Sequence, residues 1–163
     1  MKSMMRTFRS AGMIATLIAA LAVSACANKP GDNSMASAGA ATPGSEQDFV
    51  VNVGDRVFFE SDSSELTGAS RATLDKQAQW LQQYQTYAFT VEGHADERGT
   101  REYNIALGAR RAQAVRDYLV SRGIPAQRMR TVSYGKERPV AVCNDISCWS
   151  QNRRAVTVLG ATS

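Results

Sequence analysis

The chain has few of the side chains that most often bind metals. Its 163 residues include one histidine, His94, and three cysteines. A structural zinc site needs four nitrogen or sulfur ligands at suitable spacing. Cys143 and Cys148 with one remote histidine make a poor set, so we expect neither a metal nor a cofactor.

The apolar run from Ala11 to Val23 is too short for a comfortable membrane span. It follows a basic start and precedes Ser24 and Ala25, which is the pattern of a secretory signal over residues 1–25. The segment 21–26 also resembles a lipoprotein processing box, which makes Cys26 the expected lipidation site. Several acyl chains there would anchor the protein stably, whereas ordinary cleavage near Ala25 would leave a free thiol.

The chain carries little net charge once the signal is removed. The full sequence is +4, with 19 basic and 15 acidic residues, and three of the basic residues lie in the signal. The remainder has 16 basic against 15 acidic residues, a net charge of +1. This balance provides no electrostatic footprint for nucleic acid.

The segment that follows the signal lacks aromatic residues. Residues 27–47 are mostly Ala, Gly, Ser, Asn and Pro, a composition that cannot bury enough apolar surface to fold. We therefore predict a lipidated cysteine and flexible tether over 26–47, with a mean reach of roughly 25 Å. The folded domain is predicted over 48–163.

Periodicity within the domain predicts an α/β sandwich. The order is β-α-β-α-β-β, with two main helices on one face of a mixed sheet. Residues 49–53 are also rich in β-formers and suggest an extra segment before the first strand. Thr67 is the expected cap of the first helix and Thr100 that of the second. The predicted strands lie around Val57 and over 88–92, 130–134 and 154–159.

The chain is organised around the stretch 93–104, a polar loop between a strand and a helix. On a helical wheel, Tyr103, Leu107, Ala114 and Tyr118 form an apolar stripe, yet Arg111 and Asn104 fall on the same face. A charge on a buried face needs a partner, and Asp96 is the obvious candidate. Two interpretations stay open: a structural Asp96–Arg111 pair, or a pocket for a ligand that bears both a carboxylate and an amine.

Three groups of motifs resemble the peptidoglycan-associated lipoproteins (Pal) of the OmpA C-terminal domain family. They are residues 93–112, 132–139 and 152–156. The resemblance implies an OmpA-like fold in which Asp96 and Arg111 bind the diaminopimelate of the peptidoglycan stem peptide. Asp62, Asn104 and Leu107 match further contact positions. The chain departs from many relatives at Ser61, where an aromatic residue is usual, and at Glu60, where Asp is usual.

The same resemblance implies a place in the Tol-Pal system, with TolB as a soluble periplasmic partner and TolA as the inner-membrane link. Ala27 is not the Asp that favours retention of such lipoproteins in the inner membrane. We therefore expect an outer-membrane protein that ties the membrane to peptidoglycan, with its domain in the periplasm. A wall-binding lipoprotein of the OmpA type outside Tol-Pal remains the alternative.

A cell-wall hydrolase is a further alternative, because glycan hydrolysis needs only two carboxyl groups and Glu92, Asp96 and Glu97 supply them. However, Asp96 beside an arginine should stay ionised at neutral pH. No Ser or Cys stands in a nucleophile motif. The sequence therefore favours a protein without enzymatic activity.

Cys143 and Cys148 are separated by four residues in an exported chain. Export favours a disulfide that pins the loop before the last strand. Two free buried thiols are the alternative.

Overall fold

The computed structural model describes residues 41–160. Four helices and four strands lie in this part of the chain: α1 (Glu46–Asp48), β1 (Arg56–Phe58), α2 (Gly68–Gln83), β2 (Phe89–His94), α3 (Arg101–Ser121), β3 (Met129–Gly135), α4 (Ile146–Asn152) and β4 (Arg154–Leu159). A π-helical turn, Phe49–Val53, continues α1, and a 3-10 turn, Ala126–Arg128, precedes β3. No helix within residues 41–160 is long and apolar enough to cross a membrane.

The strands form one mixed sheet in the order β1-β4-β2-β3. β4 runs antiparallel to both β1 and β2, whereas β2 and β3 are parallel. Parallel neighbours need a crossover, and α3 supplies it. Helices α2 and α3 pack on the face to which alternate strand residues such as Val57, Val91 and Ala155 point. The predicted α/β sandwich is confirmed.

Both long helices begin where their caps predict. The Thr67 hydroxyl accepts a hydrogen bond from the Ser70 amide, and the Thr100 hydroxyl accepts one from the Tyr103 amide. These bonds satisfy amides that the first helical turn leaves unpaired. The cap at Thr100 fixes the point at which the loop after β2 turns into α3.

The prediction of a β-rich segment at residues 49–53 is wrong, because this segment is helical. Phe49 is fully buried, and its ring centroid lies 4.9 Å from that of Trp80. Asp48 accepts the Trp80 indole N–H at 2.8 Å. Tertiary packing against α2 therefore overrides the local strand preference.

The domain also extends further towards the N-terminus than the predicted boundary at Asp48. Gly44, assigned above to the tether, donates its N–H to Asp48 and accepts the Tyr87 hydroxyl at 2.9 Å. Ser45 caps α1. The last residues of the predicted tether are thus part of the folded domain, while the signal, Cys26 and the tether up to residue 40 lie outside the described residues.

The predicted stripe of α3 is rotated in the structure. Leu107 is buried as expected, but Tyr103 is 44% exposed. The face that meets the sheet and core carries Asn104, Leu107, Gly108, Arg111, Ala112, Val115 and Leu119. A close contact accompanies this orientation: Gly93 on β2 and Gly108 on α3 meet backbone to backbone, and a methyl group on either glycine would overlap neighbouring atoms.

The predicted disulfide between Cys143 and Cys148 is present. It closes the loop before α4, a short helix that periodicity did not predict and that Asp145 caps. Cys148 is buried on α4. Trp149, next to it, donates its indole N–H to Glu97 at 2.5 Å. The disulfide therefore fixes a helix that contacts the central loop.

Candidate functional site

A pocket of about 270 Å³ lies between the loop after β1, the loop after β2 and the start of α3. All five residues that the sequence singled out line it: Asp62, Asp96, Asn104, Leu107 and Arg111. Ser61, Arg98, Gly99 and Tyr103 complete the lining. A larger hollow of about 440 Å³ beside β1 contains none of the five, so chemistry and not size identifies the candidate site.

Arg111 is fully buried at the bottom of this pocket. Its guanidinium donates to three backbone carbonyls, those of Ser63 and His94 at 2.8 Å and that of Glu60 at 3.1 Å. Burial lowers the pKa of Arg111 to about 10, so the group remains charged at neutral pH. A guanidinium carries five N–H donors, and these bonds use three of them. Arg111 is thus held rigidly, and two of its five N–H donors make no hydrogen bond among residues 41–160.

The expected direct pair between Asp96 and Arg111 is not formed. Asp96 instead binds Arg98, with 2.6 Å between Oδ2 and Nη2, and lies 3.5 Å from Nη1 of Arg153. Burial raises the pKa of the Asp96 carboxyl, but hydrogen bonds from Arg98 outweigh this and hold the pKa below its ordinary value. Backbone carbonyls satisfy Arg111, and two other arginines satisfy Asp96. The sequence pattern shows no carbonyl acceptors, which is why it suggested the wrong partner.

Asn104 and Leu107 occupy the first two turns of α3 and are almost fully buried. The Asn104 amide donates to the Arg98 carbonyl at 2.8 Å, which ties the loop after β2 to the helix. Leu107 supplies an apolar wall beside Arg111. Together with Asp96 and Arg111 they form the floor of the pocket, in which each residue is at most 7% exposed.

The rim of the pocket consists of exposed residues, among them Ser61, Asp62, Arg98 and Tyr103. Asp62 has a left-handed backbone with φ of 57° and accepts the Tyr103 hydroxyl across the opening. The helical wheel predicted Tyr103 to be in the core, and the sequence suggested no role for Arg98. The loop motif containing Arg98 was the only available signal for it, since a charged loop residue is ordinarily solvated.

His94, the only histidine, does not line the pocket with its side chain. Its ring is 2% exposed, and its centroid lies 5.6 Å from that of the tilted Tyr134 ring. Neither ring nitrogen has a hydrogen-bond partner within the described part of the chain. Burial and the nearby Arg154 and Arg138 lower its pKa to about 4. Among residues 41–160 no group of three or more His, Cys, Asp or Glu residues is arranged to hold a metal.

Known proteins resemble this chain over most of its length. The OmpA family model matches residues 58–154. The peptidoglycan-associated lipoprotein of Rhizobium meliloti is 64% identical over 163 residues, covering 97% of this chain and 93% of that protein. The protein of the same name from Pseudomonas aeruginosa is 40% identical over 158 residues, covering 88% of this chain and 94% of the relative.

Solved structures show the same relationship. The crystal structure of the peptidoglycan-associated lipoprotein from Burkholderia pseudomallei matches with a TM-score of 0.63 and 42% identity, over 65% of this chain and 90% of that one. The C-terminal domain of Helicobacter pylori MotB, at 21% identity and a TM-score of 0.62 over 66% and 84% of the two chains, shares the fold. This chain therefore belongs to the OmpA family and, within it, to the peptidoglycan-associated lipoproteins.

Proposed function

We propose that the domain binds peptidoglycan non-covalently through the diaminopimelate of the stem peptide, and that a lipid on Cys26 holds it to the outer membrane. The protein then ties the outer membrane to the cell wall. Relatives that match nearly the whole chain carry the name peptidoglycan-associated lipoprotein, which supports the wall as ligand. The residues of the pocket support diaminopimelate as the part of the wall that is recognised.

The observation that carries the proposal is the rigid, charged and incompletely used guanidinium of Arg111. Three carbonyls fix its plane, and two donors remain for a planar acceptor. A carboxylate matches such a fork with two parallel hydrogen bonds. Because the arginine is already ordered and desolvated, binding a carboxylate there costs little further side-chain entropy.

The acidic residues of the same pocket suit an ammonium group. Asp96 lies on the floor and Asp62 on the rim. The free end of diaminopimelate carries a carboxylate and an ammonium on one carbon, so it can satisfy both charges at once. Leu107 provides apolar contact for the methylene groups of the side chain, and Asn104 supports the loop that carries Asp96.

The pocket chemistry argues for binding without catalysis. A general acid at neutral pH needs a raised pKa, whereas the pKa of Asp96 is held below its ordinary value. The carboxylate therefore acts as a fixed negative charge. We propose that the protein is not an enzyme.

Family resemblance further supports a place in the Tol-Pal system, with TolB and TolA as partners. A pull-down of TolB from the same cell by the mature protein tests this part separately. Capture of TolB is the expected result, and its absence would leave a wall-binding lipoprotein outside that system.

Sedimentation with purified peptidoglycan tests the pocket. Arg111→Lys keeps the charge but lacks the planar fork, so binding should weaken at least about tenfold, or 1.4 kcal/mol. Arg130→Lys, an exposed arginine on β3, is the matched control and should bind like the parent. If the Arg111→Lys variant stays folded and sediments like the parent, the pocket assignment fails.

Arg111 also supports the fold, so a second variant is needed. Asp62→Asn removes a charge from the exposed rim without disturbing a buried bond. It should weaken wall binding about two- to fivefold, as expected for a partly solvated charge contact. Unchanged binding in both Asp62→Asn and a folded Arg111 variant would contradict the proposal.

A further inference from the structure

The Asp96 carboxylate has no unoccupied acceptor position in this structure. Its Oδ1 accepts the backbone N–H and the Nε–H of Arg98 at 3.2 and 3.1 Å. Its Oδ2 accepts Nη2 of Arg98 at 2.6 Å and Nη1 of Arg153 at 3.5 Å. A carboxylate offers about four lone-pair positions, so a ligand ammonium must displace a donor to reach Asp96.

The floor of the pocket is covered as well. Arg111 is fully buried and Asp96 is 7% exposed, whereas the rim residues above them are exposed. A ligand therefore reaches the floor only by passing between these rim side chains.

Arg98 is the donor best able to leave. Its side chain is 44% exposed, and apart from Asp96 its guanidinium donates to the Ser61 hydroxyl. Arg153, by contrast, is 7% exposed and donates to the Phe59 carbonyl at 2.9 Å. Exposed ion pairs are weak compared with buried ones, so the Arg98 contact costs less to break.

Arg98 also has a second environment within reach. Its guanidinium carbon lies 4.2 Å from the centroid of the Trp149 ring. Trp149 in turn is held by the Glu97 carboxylate. An arginine that leaves Asp96 keeps the aromatic face of Trp149 and the negative charge of Glu97 beside it, which lowers the free-energy cost of displacement.

We propose that Arg98 is an internal competitor for the ligand: its guanidinium occupies the ammonium position on Asp96 and is displaced when diaminopimelate binds. The inference rests on the proposed function. One cation replaces another, so the charge of the site is conserved. A ligand with a carboxylate but no ammonium leaves Arg98 on Asp96, and Arg98 thereby makes recognition depend on both groups.

Calorimetric titration of the mature protein with a soluble diaminopimelate stem peptide tests this competition. Arg98→Gln removes the competing charge and should bind about three- to tenfold more tightly, the range expected when a partly exposed ion pair no longer has to be broken. Arg98→Lys keeps a cation beside Asp96 and should stay within about twofold of the parent. Equal or weaker binding by a folded Arg98→Gln variant would overturn the inference.

A second ligand distinguishes competition from a structural role of Arg98. When the side-chain amine of diaminopimelate is acetylated, the ligand has no ammonium to exchange. Arg98→Gln should then give no gain in affinity, whereas a general loosening of the loop would affect both peptides alike. An equal gain for both peptides would contradict the proposal.

Nuclear magnetic resonance of the Arg98 Nε–H group provides a readout that does not depend on a variant. Its resonance should shift when the parent is saturated with the diaminopimelate peptide, and an unshifted resonance would count against displacement. If the parent fails to bind the peptide at all, the proposed function fails, which is a different result from an unaltered Arg98.

Discussion

At the scale of single residues, Arg111 shows how a buried charge can be stabilised without an ion pair. Leaving a guanidinium unsatisfied in the interior would cost several kcal/mol. Three backbone carbonyls, two from the loop after β1 and one from the end of β2, remove that cost. The same bonds fix the guanidinium, so one side chain joins the loop after β1 to the end of β2.

The sequence predicted which residues line the pocket but not how they pair. Helical spacing and the family motifs led to Asp62, Asp96, Asn104, Leu107 and Arg111, and all five line one pocket. The partners were not predictable in this way, because carbonyls such as that of His94 belong to the backbone and leave no trace in residue types. Arg98 was missed for a related reason: its bond to Asp96 depends on loop geometry.

His94 gives a pH prediction at the residue scale. Its pKa of about 4 in the folded protein lies below the ordinary 6.5, so the unfolded chain takes up a proton that the folded chain excludes. The stability associated with neutral His94 is therefore complete above about pH 6.5 and is lost as the pH falls towards 4. The loss should be on the order of 2 kcal/mol.

Urea unfolding at pH 7 and pH 4.5 measures this effect. His94→Gln has no imidazole to titrate, so its stability should change less between the two pH values than that of the parent. Because the pKa of Asp96 is lowered, this carboxyl changes the free energy of unfolding mainly at lower pH than the range compared. Parallel losses in parent and variant would show that His94 is not responsible.

At the scale of elements, the contact between β2 and α3 sets the position of the central loop. Because Gly93 and Gly108 have no side chains, the backbones of β2 and α3 come into direct contact there. Ser133 on β3 adds a bond to the Ile105 carbonyl at 2.7 Å. The helix start, with Asn104 and Leu107, is therefore held directly against the strand that leads into the loop.

Gly93→Ala should destabilise the fold by at least about 2 kcal/mol, because the added methyl group meets backbone that cannot move aside. Gly68→Ala is the matched control, since nothing lies within 4 Å of a methyl group there. Position 68 opens α2, so alanine should leave stability unchanged or raise it. Denaturant midpoints compare the two, and equal midpoints would refute the close-contact explanation.

Long elements with clear caps were predictable from the sequence, whereas short ones were not. Helix α3 (Arg101–Ser121) begins directly after its expected cap, Thr100. Residues 49–53 prefer strands locally, but burial of Phe49 against Trp80 makes them helical. The exposure of Tyr103 was not predictable either, because the close backbone contact between Gly93 and Gly108 depends on tertiary packing.

At the scale of the whole molecule, the proposed lipid anchor and the proposed binding site lie in different segments of the chain. A lipid on Cys26 would hold one end, and the pocket lies on the domain that begins near Gly44. The residues between them have a composition that favours a flexible tether. Membrane attachment and wall binding should therefore be independent.

Cys26→Ser tests this independence. The variant should leave the membrane fraction while its affinity for isolated peptidoglycan stays within about twofold of the parent, because no contact of the pocket is altered. Fractionation after digestion of the wall, followed by sedimentation with purified wall, measures both properties. A Cys26→Ser protein that remains in the membrane after digestion would contradict the anchor assignment.

The central claim is that Arg111 and an acidic partner recognise the carboxylate and the ammonium of diaminopimelate together. Calorimetric titration of the mature protein with matched soluble stem peptides tests it most directly. A peptide with lysine in place of diaminopimelate keeps the ammonium but lacks the second carboxylate, and amidation of that carboxylate has the same effect. Both should bind at least about tenfold more weakly, since buried donors of Arg111 are left without an acceptor. Equal affinities for the lysine and diaminopimelate peptides would contradict the account and make Arg111 a structural residue.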